Sequence, residues 1–369
     1  MAKHLLHIFP SFEVGGSQLR TVTWINALGP AYHHSLLSLS GLTDACDRIQ
    51  PSIPFDVVKT PEERASLFSR IRAYRRLLRE VGPDVLITNN WGSIELALAW
   101  RIRPQSALIH VESGFGPDEA DQNLQRRIWV RRAALSGRAK VVVPSASLRR
   151  RMTEEWGFSE DRIRFVPDGI DCEKFASALA KPLSQLGDRK GPVIGTVAVL
   201  RAEKDLLVLL RAFQALDPAL DATLVIVGDG QEREALENEV VALGLQGRVI
   251  FTGFVDRVET VYPLFDVFAL SSFTEQMPNA VLQAMAAGLP VAATDVGDVS
   301  LMVAPENASR LVQPRDASAL SAALLELLAD PQLAGQLGEE NRKRAFQRFD
   351  MDAMVAAYRS LIDPVESVD

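Results

Sequence analysis

Short apolar runs alternate with amphipathic helical stretches along the whole chain, and this alternation leaves few architectures open. A strand buried on both faces reads as an unbroken apolar run, and a helix between two such runs brings the second back parallel to the first. The runs of the first half fall at 5–9, 35–39, 55–58, 84–88, 107–111, 140–143 and 164–166. Those of the second half fall at 193–199, 223–227, 249–252, 267–270, 291–294 and 310–312. The expected class is therefore α/β, each half building its own doubly wound sheet. With 369 residues the chain outgrows one typical core and suits two domains of somewhat under about 200 residues each.

Residues 176–190 are rich in Ala, Ser, Pro and Gly and precede a clean new strand. The expected division is an N-terminal Rossmann-like domain over 1–175, a linker over 176–190, a second domain over 191–349 and a terminal helix over 350–369. Met354, Tyr358 and Leu361 carry the helical spacing of that last segment. Two Rossmann-like sheets collect their ligands at the carboxyl ends of the strands, so the loops there are the places to look for chemistry.

The densest signal lies at 272–291, which reads as a strand end, a polar loop, one amphipathic helix and a new buried strand. Pro278 suits a first helical turn, and Gly288 suits a left-handed stop. Glu275 then lies just before a helix N-terminus, where unpaired N–H groups and the helix dipole favour an anion such as a diphosphate. Gln283, eight residues on, lies inside the helix. A carboxylate, a bare helix N-terminus and a second polar side chain together suit a sugar nucleotide.

This segment resembles the signature of retaining GT-B glycosyltransferases of glycosyltransferase family 4. That signature has two glutamates seven residues apart in the intervening count, then a small-residue helix, Gly-x-Pro-Val and Thr-Asp-x-Gly. Here the first glutamate is Glu275 and the tail runs Gly288-Leu289-Pro290-Val291-Ala292-Ala293-Thr294-Asp295-Val296-Gly297; the second glutamate is replaced by Gln283. In the family that position is associated with the nucleotide ribose. The glutamine keeps an acceptor, adds donors and loses charge assistance, which implies altered nucleotide affinity or preference.

The resemblance implies two facing Rossmann-like domains with a deep interdomain cleft, and a terminal helix that crosses back to the first. It also assigns the remaining loops. Gly15-Gly16 follows the first strand, where the family has a Gly-Gly loop over the donor. His110 ends the fifth strand, where the family often has a histidine near the transferred sugar. Glu112 and Asp118 follow in what reads as a mobile acceptor loop. Lys204 sits where a family lysine neutralises the donor diphosphate. A companion arginine is often found at the position of Val199, and Arg201 is the candidate to replace it. Gly228-Asp229-Gly230 and the turn at Gly253 fall on the nucleotide side. The backbone around Gln276, Met277, Pro278 and Asn279 would meet the diphosphate. Asp168-Gly169-Ile170-Asp171 resembles a closing turn of structural purpose, and Asp350-x-Asp352 reads as a helix cap.

The implied activity is retaining, metal-independent transfer of a hexose-like sugar from a nucleoside-diphosphate sugar to a hydroxyl acceptor, with no cofactor. Glu275 would hydrogen-bond the transferred sugar, and the acceptor would be a saccharide, a lipid or a lipid-linked glycan of the cell envelope. Two rivals stay open: a catalytically decayed sugar-nucleotide-binding protein, suggested by Val199, Gln283 and Leu301, and a GT-B epimerase or phosphorylase.

Net charge bears on partners. The total is −7, but residues 1–175 carry +4 and the remainder −11. Arginines cluster at 70, 72, 75, 76 and 79, at 126, 127, 131 and 132, and at 149–151. Such faces suit an anionic membrane surface or acceptor, or they are solvated and paired with nearby acids. The acidic total and the lack of a binding motif disfavour nucleic acid. No apolar run approaches the roughly 20 residues of a spanning helix. Cys46 and Cys172 have no metal-ligand spacing, and so few cysteines suit a reducing compartment. The expected location is cytoplasmic, with possible peripheral attachment to the inner membrane face.

Overall fold

The computed structural model describes residues 2–61, 66–114, 124–187 and 190–364. They form two compact units: Met1–Asp168 with Asp352–Asp369, and Gly169–Met351.

The first unit holds a parallel sheet of β1 (Lys3–Phe9), β2 (Tyr32–Ser38), β3 (Phe55–Val57), β4 (Val85–Asn89), β5 (Ala107–Val111), β6 (Lys140–Val143) and β7 (Ile163–Phe165). Their order is β3-β2-β1-β4-β5-β6-β7. Leu6 of β1 lies between Ser35 of β2 and Leu86 of β4, so the strand is paired on both edges. The order reverses between β1 and β4, which gathers the loops following those strands at one edge.

The second unit repeats the scheme with β8 (Val193–Val197), β9 (Thr223–Val227), β10 (Val249–Gly253), β11 (Val267–Leu270), β12 (Val291–Thr294) and β13 (Leu311–Val312). The order is β10-β9-β8-β11-β12-β13, with the reversal between β8 and β11. Helices cover both faces. Val281, Leu282 and Met285 pack with Phe268 and Val291 on one side, and Leu209, Phe213 and Leu324 pack with Ile226 on the other. Each apolar run of the sequence is a strand, because a doubly covered parallel sheet demands continuous burial.

The division between the units differs from the expected one. Residues 169–175 belong with the second unit: Ile170 N–H donates to Phe349 O at 2.9 Å, and Cys172 and Phe175 lie in that unit's core. Residues of the expected linker pack there too, through Leu183, Leu186 and a bond from Lys181 N–H to Thr260 O of 3.1 Å. The helix Met351–Ile362 belongs with the first unit. Tyr358 stacks on Trp24 with ring centroids 4.9 Å apart, and Asp363 takes an ion pair from Lys3 at 2.5 Å.

Candidate active site

In the second unit the two loops at the sheet reversal meet. Lys204, after β8, puts Nζ 2.5 Å from Oε1 of Glu275, after β11. Ser272 Oγ donates to the same carboxylate oxygen at 2.8 Å. The loops are also joined through backbone: Ser271 Oγ donates to Lys204 O at 2.9 Å, and Phe273 N–H donates to Glu203 O at 3.0 Å. Both charged side chains keep an accessible edge, 22% for Lys204 and 13% for Glu275. The sequence assigned these residues separate roles, and the structure makes them one ion pair.

The carboxylate's position is fixed from behind. Thr294 Oγ1 donates to Ser272 O at 2.7 Å, and Asp298 N–H donates to Gln276 O at 2.9 Å. Gly297 has φ of +58°, and a Cβ there would stand 2.4 Å from Glu275 O, so any side chain would push the loop out. The helix Asn279–Ala286 begins directly after this loop. Pro278 takes the cap position, one residue earlier than expected, so the N-terminus has no side-chain cap and no acidic residue in its first turn. Among the described residues Asn279 Oδ1 has no hydrogen-bond partner. The Met277 side chain is buried in the core, which leaves only its backbone to the loop. An uncapped helix N-terminus beside a lysine is a place for a polyanion.

Gln283 departs from its expected use. Tyr262 Oη donates to Gln283 Oε1 at 2.7 Å, and Tyr262 is fully buried. Burial raises the phenol's pKa well above its ordinary value, so it stays a donor. The glutamine acceptor is thus engaged from beneath, and its amide N–H groups are the part left for a ligand. Gly228 and Gly253 form a backbone bridge, with Gly228 N–H donating to Gly253 O at 2.9 Å. A Cβ on Gly228 would stand 1.9 Å from Ala198 O. The glycine is required to nest this turn against the loop that carries Arg201 and Lys204. Arg201 is exposed, as are Val199 and Leu301.

The first unit holds the other assigned residues. Gly15 caps the helix Gly16–Leu28, which also lacks a side-chain cap and an acidic first turn. Among the described residues nothing lies within 4 Å of where a Gly16 Cβ would be. His110 sits at the fourth residue of β5 with no exposed surface, its Nδ1 2.9 Å from Thr88 Oγ1.

Glu112, expected in a mobile acceptor loop with Asp118, is enclosed within the first unit. It has no exposed surface, it stands 3.4 Å from His110 Nε2, and its Oε2 accepts from Arg131 Nε at 3.0 Å. Arg131 in turn lies over the rings of Trp91 and Trp156, at 5.0 and 4.5 Å. The reason is electrostatic: a buried guanidinium needs a carboxylate, and Glu112 is in reach. Asp118 lies outside the described residues. Asp168, read as structural, is buried and ion-paired to Arg20 at 2.6 Å.

The arginine clusters divide. Arg70 binds Glu95 through two bonds of 2.8 Å, Arg76 pairs with Glu80 and Arg149 with Glu160, while Arg72, Arg79, Arg126 and Arg132 remain exposed.

Two parallel-sheet units of the same strand order, each with glycine-opened or uncapped helix N-termini at the sheet reversal, define a GT-B architecture. Residues 14–174 match the sequence profile of Glycosyltransferase Family 4, and residues 191–330 match that of Glycosyl transferases group 1. The chain belongs to the group 1 GT-B glycosyltransferases.

Among similar proteins, the 2-deoxystreptamine glucosyltransferase of Streptomyces kanamyceticus is 33% identical over 188 residues, covering 49% of each chain. The Escherichia coli UDP-Gal:alpha-D-GlcNAc-diphosphoundecaprenol alpha-1,3-galactosyltransferase is 24% identical, over 71% of this chain and 70% of its own. The alignments with the first curated relatives span about half of their length or less, 40–49%. The crystal structure of Anabaena HepE in complex with UDP superposes with a TM-score of 0.83 at 19% identity, covering 98% of this chain and all of the other.

Proposed function

We propose that the chain transfers a sugar from a nucleoside-diphosphate sugar to a hydroxyl acceptor with retention of configuration. The observation that carries this is the Lys204–Glu275 pair at the head of the uncapped helix Asn279–Ala286. In this reading the donor diphosphate lies on that helix N-terminus and draws Lys204 toward it. Glu275 is then released to accept hydrogen bonds from hydroxyls of the transferred sugar. As the leaving group departs, negative charge grows on the diphosphate, where the lysine and the helix dipole stabilise it more than they stabilise the ground state. The acceptor hydroxyl attacks the face that the leaving group vacates and gives its proton to a diphosphate oxygen. No metal takes part in this scheme, so chelator should leave the rate unchanged.

Relatives described as glucosyl-, N-acetylglucosaminyl- and galactosyltransferases support the reaction class, and neighbours crystallised with UDP and with UDP-glucose support a uridine donor. The acceptor we propose is a saccharide or lipid-linked saccharide. No helix among the described residues is long and apolar enough to cross a membrane.

The test is UDP release from a panel of UDP-sugars in the presence of candidate acceptors. Glu275→Gln should bind UDP with near-parental affinity while transfer falls by about two orders of magnitude, the scale of one lost charge-assisted transition-state contact. Full activity in this variant would remove Glu275 from the chemistry. A second reading, binding without transfer, is favoured by the engagement of Gln283 with Tyr262 and by the absence of an arginine at Val199. Tight UDP binding with no turnover of any donor would select it, and release of a free epimerised sugar would select the epimerase instead.

A further inference from the structure

The helix layer made by 67–81, 94–102 and 125–134 in the first unit has a surface that the sugar-transfer reading does not use. The three helices pack side by side on one face of the sheet. Residues 67–81, 94–106 and 125–138 contain twelve arginines, no lysine and only two acids. Both acids are taken, Glu95 by Arg70 and Glu80 by Arg76, and one arginine, Arg131, is buried on Glu112. Basic side chains therefore outnumber acidic ones by ten in these three segments.

Set among these charges is apolar surface that a solvated face would not carry. Ile71, Leu98, Ile102 and Ala133 line a shallow groove of about 510 Å³. Phe68 stands one helical turn before Ile71, and Trp129 one turn before Ala133, so each flanks the groove on its own helix. They are 80% and 66% exposed, and Ile102 is 58% exposed. The Arg132 guanidinium lies 5.4 Å from the Trp129 ring, an arrangement suited to an interface where one end is apolar and the other meets phosphate.

We infer that this helix layer docks the protein on an anionic lipid bilayer, with Phe68 and Trp129 entering the headgroup boundary and the surrounding arginines holding lipid phosphates. Guanidinium groups match phosphate in a bidentate fork, and each basic side chain near an anionic surface adds attraction that salt screens. Phosphate contact alone would equally suit a polynucleotide. The aliphatic groove and the protruding phenyl and indole rings favour a membrane, where such groups leave water. The docking inference goes beyond the transferase reading and stands or falls separately from it.

The experiment is co-sedimentation of the full chain with vesicles of equal parts phosphatidylglycerol and phosphatidylcholine, with phosphatidylcholine vesicles as the control. The chain should partition onto the anionic vesicles, leave them as salt rises, and ignore the neutral ones. The double variant Phe68→Ser/Trp129→Ser should lower the partition coefficient by at least about tenfold, the loss expected from two side chains no longer leaving water. Both positions are exposed, and UDP affinity measured by calorimetry should not change, which shows that the variant is folded. Brominated phosphatidylglycerol should quench tryptophan emission in the parent and much less in Trp129→Ser. Equal partition onto neutral vesicles, undiminished partition of the double variant, or binding of polyuridylate with no vesicle binding would each overturn the inference. Vesicle binding as expected with no UDP binding by the parent would instead overturn the transferase reading and leave docking intact.

Discussion

The loop after β11 and the end of β5 use the same ingredients, a carboxylate held by a cation, to opposite ends. Lys204 and Glu275 meet at 2.5 Å with an edge of each in solvent. Arg131 and Glu112 meet at 3.0 Å with neither exposed at all. An accessible pair can be exchanged: an arriving diphosphate can take the lysine, and a sugar hydroxyl the carboxylate, without stranding a charge. A sealed pair has no such freedom, since removing one partner leaves the other charged in a medium that cannot solvate it. Proximity of opposite charges says little about function until their access to ligand is known.

The largest effect is expected at Glu112. Glu112→Ala should destabilise the first unit by about 3–5 kcal/mol, because the buried Arg131 loses the carboxylate at its Nε. UDP affinity should stay within a few-fold of the parent. All five tryptophans lie in the first unit, so their fluorescence follows that unit's unfolding in urea. A stable Glu112→Ala protein that binds UDP but has lost transfer would restore Glu112 to the acceptor side.

Acid tests the same contrast on a different cluster. His7 Nε2 and His34 Nδ1 are 3.0 Å apart and buried, with Trp24 against both rings, Tyr32 near His34, and His4 and His33 close by. Burial first, and the neighbouring histidines second, hold His34 down at about 4 and His7 well below its ordinary value of 6.5. The unfolded chain therefore takes up protons that the folded chain refuses. This contribution is fully present above pH 6.5 and is lost as pH falls toward about 4. Between pH 6.5 and 5 the loss for His34 should be about 2 kcal/mol, read as a lower urea midpoint of tryptophan fluorescence. The second unit contains no histidine. An unchanged midpoint at the two pH values would show that these rings charge without cost.

The smallest effect is expected at the open pair. Lys204→Ala should weaken UDP binding roughly tenfold, one charge-assisted hydrogen bond to phosphate, and should barely move stability. A large loss of stability would mean that the pair is structural like its sealed counterpart, and the contrast would collapse.

What the sequence made legible follows the range of the interactions. Continuous burial is written residue by residue, so the runs that became β1 to β13 could be read directly. Loop signatures are local too, and Glu275, Pro278 and Gly288 stand within a residue of where they were expected. The Lys204–Glu275 contact joins residues 71 apart, and the Tyr262–Gln283 contact joins residues 21 apart. No periodicity announces either. The Arg131–Glu112 pair was misread for the same reason: an arginine in a basic run looks solvated until Trp91 and Trp156 close over it. The signal that could have found it was the pairing of a lone carboxylate beside a strand end with a helix carrying both apolar and basic residues.

The helix Met351–Ile362 gives the first unit an unusual history. The strands of that unit emerge early in synthesis, yet the Tyr358 ring that covers Trp24 arrives only after residues 169–351 have been made. Domains generally fold as they leave the ribosome, amino end first. Here the earlier unit must wait, with Trp24 lacking its Tyr358 cover, until the later unit has been translated in full. The nascent protein therefore finishes its second unit before its first, and a chaperone that recognises exposed apolar surface would find its longest opportunity at Trp24.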